Sequence, residues 1–239
     1  MQSIFKRYEK KYLVTEKQCN AFKGILAQYM IPDQYGEYLV QNLYYDTENW
    51  DVIRASIEKP IYKEKMRLRC YGIANDDSTF YLELKKKYEG VVYKRRIAIP
   101  SESLTGGSVR NIVSTTPSQI SREFDFYMQS NEVSEKIYIA YQRLAFAGLD
   151  DTGLRVTFDS DIRFRLDDLC FSNSNAGEAT IPEGKMVMEI KTLGGMPLWM
   201  ASALSENEIF PISFSKFGIC YVDHIYKQLF EEKKVKVCA

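Results

Sequence analysis

Histidine is almost missing from this sequence: His224 is the only one among 239 residues. A single histidine argues against histidine-based catalytic triads and against histidine-rich metal sites. Chemistry in this chain must therefore use carboxylates, lysine, arginine, hydroxyls or a hard metal ion. We expect His224 itself to be an ordinary helix residue.

Cysteine is sparse and scattered, with five residues and no Cys-x-x-Cys pair. The spacing indicates neither a zinc site nor a disulfide framework, and a reducing, cytoplasmic setting is expected. The sequence also has no signal peptide and no apolar run near the roughly 18 residues that span a bilayer. We therefore expect no membrane segment in this chain.

The chain also has no net charge, because 32 Lys and Arg residues balance 32 Asp and Glu residues. Net charge therefore says nothing about partners, although local segregation of charge can still create a strongly positive cleft. Hydrophobic residues make up 45% of the chain. That share supports a sizeable core, and with no clear internal boundary we predict a single domain over residues 1–239.

What the chain does contain is a set of strands with cations on one face. Residues 80–100 predict two strands joined by a turn at Glu89-Gly90. Side chains in a strand alternate between the two faces of the sheet. Alternation places Glu83 and Lys85 on one face of the first strand, and Lys94 and Arg96 on one face of the second.

The same pattern recurs along the chain, and an E-x-K spacing appears three times. The charged face collects Arg7, Glu9, Lys11, Arg67, Arg69, Glu83, Lys85, Lys94, Arg96, Arg143, Arg155, Glu189 and Lys191. One interpretation is the solvated face of an antiparallel sheet. The other is the lining of a closed or nearly closed sheet in an α+β domain. Because most of these residues are Arg or Lys, we favour the second interpretation.

Closure would bring ten cations of this set around one cavity. Two like charges about 4 Å apart repel by roughly 4 kcal/mol at an effective dielectric constant near 20. Such a lining needs a bound polyanion, and phosphate matches the donors of Arg and Lys. The few carboxylates would then hold Mg²⁺ or Mn²⁺, which bind oxygen ligands.

The order of short motifs resembles the triphosphate tunnel metalloenzyme superfamily and, within it, the VTC domain of polyphosphate polymerases. The motifs run in the order R-x-x-x-K, LYYDT, R-L-R, E-L-K, Y-K-R-R, Y-Q-R, L-R-V-T-F-D, M-E-I-K and F-S-K. The resemblance implies a closed antiparallel eight-stranded β-barrel tunnel with surrounding helices. It also implies metal-dependent phosphoryl transfer from ATP or another nucleoside triphosphate to inorganic polyphosphate.

The resemblance assigns roles to individual positions. Residues expected near the transferred phosphate are Lys85, Lys191, Arg143 and Arg155. Residues expected to bind phosphate are Arg7, Lys11, Arg67, Arg69, Lys94, Ser215 and Lys216. The expected ligands of Mn²⁺ or Mg²⁺ are Glu189, Glu83 and Glu9, with Glu189 favoured and Glu83 alternatively a partner for neighbouring cations.

Two positions depart from the family patterns. Tunnel hydrolases begin with E-x-E-x-K, whereas Arg7 replaces the first acid here, which favours the VTC branch. Ser213 stands where the last motif often has lysine.

Two further functions stay open: a triphosphatase, with Glu9 orienting water, and a non-catalytic polyphosphate-binding module working with a membrane protein. No nucleic acid is expected as a partner, because the aromatic residues lie opposite the cations and do not interleave with them for base stacking.

Overall fold

The structure is a computed structural model that describes residues 8–89, 91–105, 108–115, 118–174 and 176–228. Arg7 lies outside the described residues, as does the predicted end of the last helix beyond residue 228.

The described residues form ten strands and seven helices. The strands are β1 (Tyr8–Thr15), β2 (Met30–Asp46), β3 (Tyr62–Tyr71), β4 (Thr79–Tyr88), β5 (Val91–Pro100), β6 (Ser134–Gly148), β7 (Arg155–Arg165), β8 (Glu178–Ala179), β9 (Lys185–Thr192) and β10 (Pro211–Ile212). The helices are α1 (Glu16–Leu26), α2 (Asp51–Ile57), α3 (Ser101–Thr105), α4 (Val109–Thr115), α5 (Gln119–Asn131), α6 (Leu198–Glu206) and α7 (Lys216–Cys220). A π-helical turn at Tyr221–Ile225 follows α7.

The strands form an antiparallel sheet in the order β10-β1-β9-β7-β6-β2-β3-β4-β5, with β8 beside β7. The order begins at β10 and ends at β5, and within the described residues these two strands do not pair. The predicted closed eight-stranded barrel is therefore wrong, both in its closure and in its strand number. The prediction of a mixed α+β fold is confirmed.

The sequence pattern did not contain the information that decides closure. Alternation of side chains assigns a face to each residue, whereas closure depends on strand tilt, on stagger and on pairing of the end strands. At one end of this sheet, β10 pairs with β1 over only two positions, opposite Lys11 and Tyr12. A two-residue strand carries no recognisable period.

Contacts divide the chain into two compact units. Unit 1 comprises the described parts of Met1–Leu39, Tyr141–Ile162 and Ile181–Phe214. Unit 2 comprises the described parts of Val40–Ala140, Arg163–Thr180 and Ser215–Ala239.

Unit 1 buries its apolar side chains between α1, α6 and one face of β1, β7 and β9. Phe22 of α1, Phe158 of β7, Met188 of β9 and Leu204 of α6 belong to this core and are each at most 6% exposed. Because the helices cover that face, the alternate residues of the strands lie on the opposite face. Arg155, Thr157 and Asp159 of β7 are there, while Val156 and Phe158 enter the core.

The start of α1 is fixed by a capping box. The backbone N–H of Gln18 donates to Thr15 Oγ1 at 3.2 Å, and the backbone N–H of Thr15 donates to Gln18 Oε1 at 3.0 Å. Thr15 was the predicted cap, and the two bonds satisfy N–H groups that the helix leaves without a carbonyl partner.

Unit 2 contains the predicted hairpin, now β4 and β5, paired with β3. Met66, Leu68, Leu82 and Leu84 are almost completely buried on one face. The buried carboxylate of Asp46 accepts hydrogen bonds from the first backbone N–H groups of α2 and thereby anchors this helix after β2.

No helix in the described part of the chain combines the length and the apolar character needed to span a bilayer.

Candidate functional site

The predicted site residues gather in two groups of charged side chains, one in each unit. The Glu189 cluster of unit 1 consists of Glu9, Lys11, Arg143, Asp159, Glu189 and Lys191. The Glu83 cluster of unit 2 consists of Arg67, Arg69, Glu83, Lys94 and Arg96.

The register of β1 and β9 builds the first part of the Glu189 cluster. Lys11 lies opposite Glu189, and Glu9 lies opposite Lys191. Because each strand carries Glu-x-Lys and the strands are antiparallel, every acid faces a base across the pair. The recurring E-x-K motif therefore produces a checkerboard of two acids and two lysines.

Glu189 is the more buried of the two acids in this checkerboard. Its side chain is 10% exposed, with Lys191 Nζ 2.7 Å from Oε1 and Lys11 Nζ 3.9 Å from Oε2. Burial alone would raise the pKa of Glu189, but the charges of Lys191 and Lys11 outweigh burial and hold the pKa well below its ordinary value. Glu189 is therefore a carboxylate at any physiological pH.

Lys11 connects the checkerboard to the segment between β10 and α7. Its ammonium lies 3.5 Å from Glu9 Oε1 and donates a hydrogen bond to the carbonyl of Phe214 at 3.1 Å. The Lys11 charge is thus held in place by backbone as well as by carboxylates.

Arg143 belongs to the same cluster because its charge helps to lower the pKa of Glu189, and a residue that sequence analysis missed holds it in place. Asp159 is completely buried and accepts two hydrogen bonds from Arg143, at 2.6 Å from Nε and 2.8 Å from Nη2. Such a bidentate pair fixes the plane of the guanidinium. The signal was in L-R-V-T-F-D, where period two places Asp159 on the face of Arg155.

Arg155 is positioned less tightly than Arg143. It lies opposite Lys191 on β9, but its guanidinium is half-exposed and its Nη2 is 3.3 Å from Asp33 Oδ2. Its charge is therefore partly neutralised by an acid outside the cluster.

In unit 2, cross-strand pairing stacks charged residues in rows across β3, β4 and β5. Lys65, Lys85 and Lys94 form one row of direct neighbours. Like charges directly opposite each other destabilise a sheet. The negative charge nearest to Lys94 is Glu83, whose Oε1 lies 2.6 Å from its ammonium.

A second row across the same three strands consists of Arg67, Glu83 and Arg96, and its acid links the strands. Glu83 lies between Arg67 of β3 and Arg96 of β5 and is 2% exposed. Arg67 donates to Glu83 Oε2 from Nε at 2.9 Å and from Nη2 at 2.7 Å. Arg96 and Lys94 both contact Oε1, with Lys94 Nζ at 2.6 Å.

These contacts decide the charge of Glu83. Burial would raise its pKa, but Arg67, Arg69 and Lys94 more than offset burial and keep the pKa well below its ordinary value. Both carboxylate oxygens hold cations.

For Lys94, unlike Glu83, the surroundings favour the neutral form of the side chain. Burial, together with the nearby charges of Arg67 and Arg96, lowers its pKa to about 8 although Glu83 favours the charged form. Lys94 therefore titrates just above neutral pH.

Arg69 and Arg67 also have uncharged partners. Arg69 is buried and donates to Asn42 Oδ1 at 2.8 Å, while Arg67 donates to the hydroxyl of Tyr44 at 3.0 Å. Asn42 and Tyr44 come from β2 and lie opposite Arg69 and Arg67 in the register. The LYYDT region thus orients the R-L-R arginines, a role that sequence analysis did not assign.

The last predicted motif lies in unit 2. Ser215 caps α7, its hydroxyl accepts from the backbone N–H of Gly218, and it lies 3.2 Å from Lys65 Nζ. Lys216 is half-buried at the first position of α7. The structure therefore brings Ser215 beside the lysine row.

The carboxylates of the two clusters differ in how well they suit a divalent cation. Mg²⁺ usually takes one or two protein carboxylates and completes its coordination with phosphate oxygens and water. Glu9 and Glu189, which both flank Lys11, fit this requirement. Glu83 does not fit, since both of its oxygens accept hydrogen bonds from arginines, whereas the cation nearest Oε2 of Glu189 is Lys11 at 3.9 Å. The described residues contain no group of three or more acidic, histidine or cysteine side chains that could form a complete protein cage.

Comparison with protein families gives one match over almost the whole chain. The model of the VTC domain matches residues 6–224. Comparison with curated proteins finds no relative.

Among solved structures, an X-ray structure of a "putative adenylate cyclase" from Vibrio parahaemolyticus is 12% identical, with a TM-score of 0.50. The match covers 92% of this chain and 100% of that chain. At this identity it shows a shared fold and nothing about activity.

Two further structures are more distant. The PH1819 protein from Pyrococcus horikoshii is 13% identical, with a TM-score of 0.42 over 85% of this chain and 86% of that chain. The Schizosaccharomyces pombe Mediator head module is 10% identical, with a TM-score of 0.47 over 84% of this chain and 90% of that chain. Neither supports an inference about this chain.

Proposed function

The chain belongs to the VTC domain family, and from this premise we propose that it transfers phosphoryl groups from ATP or another nucleoside triphosphate to growing inorganic polyphosphate. Membership of the family supports the coarser part of this statement, phosphoryl transfer from a triphosphate. The polymerase activity rests on the residues that follow.

The observation that carries the proposal is the local excess of cations over carboxylates in the Glu83 cluster of unit 2. Arg67, Arg69, Lys94 and Arg96 surround the single carboxylate of Glu83. The lysine row adds the charges of Lys65 and Lys85 on the same face. Four cations thus share one carboxylate in this cluster, and a polyphosphate offers repeated anionic groups that both Arg and Lys bind.

The Glu189 cluster suits the reacting phosphoryl group. Arg143, held rigidly by Asp159, and Lys191 would neutralise the charge that spreads over the phosphoryl oxygens in the transition state. Arg155 is proposed for the same task on the basis of its family motif, and the E-L-K motif is the basis for proposing Lys85 as a catalytic residue. Lys11 and, by its motif, Arg7 would bind neighbouring phosphates.

A divalent ion is the expected cofactor, since enzymes of the superfamily generally use one. Glu189 and Glu9 would hold it, and when bound it would supply positive charge to the phosphate oxygens. We propose that Glu83 does not bind metal and instead keeps four cations in place.

The acceptor in this reaction needs little help from the protein. A terminal phosphate is already anionic, so the protein need not remove a proton to make it a nucleophile. This agrees with a chain that has a single histidine, located far along the sequence in a π-helical turn.

Incubation of the purified protein with ATP and Mn²⁺ tests the proposal. We expect a ladder of polyphosphate on a stained polyacrylamide gel, and no ladder without the metal. Free phosphate as the only product would contradict polymerisation. Binding of polyphosphate without any turnover of ATP would favour a non-catalytic binding module.

Hydrolysis of triphosphates is the second candidate, favoured by the surroundings of Glu9. Its side chain is 29% exposed and lies 3.5 Å from Lys11 in the Glu189 cluster. A partly exposed carboxylate at this position could orient water as the acceptor. Replacement Glu9→Gln tests this role: loss of a metal ligand alone should lower both reactions equally, whereas loss of a water-orienting group should suppress release of phosphate more strongly than chain growth.

The low pKa of Lys94 predicts a pH dependence of anion binding. Lys94 loses its charge as pH rises through about 8, so affinity for inorganic tripolyphosphate should fall about tenfold above that pH. Calorimetric titration of the wild-type and Lys94→Arg proteins between pH 7 and 9.5 measures this. The Arg variant stays charged and should lack the fall; equal pH profiles would contradict the role of Lys94.

A further inference from the structure

Thr157 is a buried hydroxyl residue on the charged face of β7. Its neighbours in sequence, Val156 and Phe158, belong to the core of unit 1. Alternation therefore directs the Thr157 side chain to the opposite face, which also carries Arg155 and Asp159. Thr157 itself is only 2% exposed.

The hydroxyl of Thr157 has no hydrogen-bond partner among the described residues. Buried hydroxyl groups are almost always hydrogen-bonded, because burial without a partner costs the hydration of the group. Valine has nearly the same shape and would favour a strand at least as well. A threonine at this position therefore carries a cost that packing does not explain.

The surroundings show which ligand would provide the missing partner. Thr157 lies directly opposite Glu189 in the pairing of β7 and β9. Glu189 is engaged by Lys191, and the neighbouring Asp159 is engaged by Arg143 through both oxygens. The acids beside Thr157 thus pair with cations and not with its hydroxyl, and these cations attract an anion to this face.

We infer that Thr157 contacts the substrate, with its hydroxyl donating a hydrogen bond to a phosphate oxygen. The inference rests on the proposed function, and it adds to the arginines and lysines of the Glu189 cluster a neutral donor that none of the sequence motifs assigned. A hydroxyl adds directional binding at a point where a further cation would meet Lys191 and Arg143.

Replacement Thr157→Val removes the donor and keeps the shape. We expect the affinity for inorganic tripolyphosphate, measured by calorimetry without metal, to fall about tenfold. In the free protein the urea midpoint should stay equal or rise, since an unpartnered buried hydroxyl is replaced by a methyl group. Thr157→Ser keeps the hydroxyl and should bind within about twofold of the wild type.

Thr192→Val is the matched control. Thr192 is 4% exposed and lies at the end of β9 in the same unit, but its hydroxyl donates to the carbonyl of Gly194 at 2.9 Å. This variant should lower the urea midpoint and leave tripolyphosphate affinity unchanged, the opposite of Thr157→Val.

Three results would overturn the inference. Thr157→Val could bind tripolyphosphate as the wild type does, it could lower the urea midpoint as Thr192→Val does, or it could change only the affinity for Mn²⁺. If the wild-type protein itself fails to bind tripolyphosphate, the proposed function fails and the Thr157 contact fails with it. If the wild type binds tripolyphosphate and Thr157→Val binds it equally well, the proposed function still stands. Only the proposed contact of Thr157 with the substrate is then rejected.

Discussion

Replacement Glu189→Gln is expected to lower metal-dependent turnover of ATP by at least about 100-fold. The amide keeps the size of the side chain but removes the charge that a divalent cation requires. Binding of tripolyphosphate without metal should be equal or tighter, because the change deletes a negative charge between Lys191 and Lys11. Turnover is measured by release of ADP with Mn²⁺, and anion binding by calorimetry.

The combination of results distinguishes a metal ligand from a residue that only supports the fold. Glu183→Gln, at an exposed position before β9 in the same unit, is the control and should change neither quantity. Turnover that persists in Glu189→Gln would show that the metal lies elsewhere. Loss of both turnover and anion binding would indicate a damaged cluster.

Replacement Glu83→Gln is expected to lower the free energy of unfolding by about 3–5 kcal/mol. The change leaves Arg67, Arg69, Lys94 and Arg96 close together without their shared carboxylate, which is 2% exposed in the wild type. Urea denaturation at pH 7 measures the loss. Added tripolyphosphate should recover part of it, because the anion replaces the missing negative charge.

A second glutamate close to the same hairpin provides the control. Glu123 of α5 pairs with Lys86 and Arg95, but its side chain is 24% exposed. Partly exposed ion pairs contribute about 0–1 kcal/mol, so Glu123→Gln should have a small effect. Equal losses in the two variants would contradict the central position of Glu83.

The stability difference between the wild type and Glu83→Gln should depend on pH. The pKa of Glu83 is depressed in the folded protein from an ordinary value of 4.5. Its contribution is therefore complete above about pH 4.5 and is lost progressively as pH falls towards the folded-state pKa. The two unfolding curves should converge in acid.

The sequence predicted the faces of the strands better than their arrangement. Period two placed Lys85 and Lys94 together, and the structure pairs them directly across the hairpin. The closed barrel was wrong, because alternation contains no information about pairing of the end strands. The two-residue strands β8 and β10 gave no signal at all.

Within the charged clusters, sequence analysis found the cations and missed several of their partners. Which acid holds which cation depends on cross-strand register, which only the fold supplies. Asp159 was overlooked although it fixes Arg143, and the single acid Glu83 holds Arg96 as well as Arg67. The assignments of metal and phosphate ligands remain predictions.

A crystal structure of the protein grown with Mn²⁺ and tripolyphosphate tests the central claim most directly. We predict an anomalous manganese peak about 2.1 Å from a carboxylate oxygen of Glu189, with phosphate oxygens in contact with Lys191 and Arg143. Manganese bound at Glu83, or tripolyphosphate bound away from both charged clusters, would contradict the account.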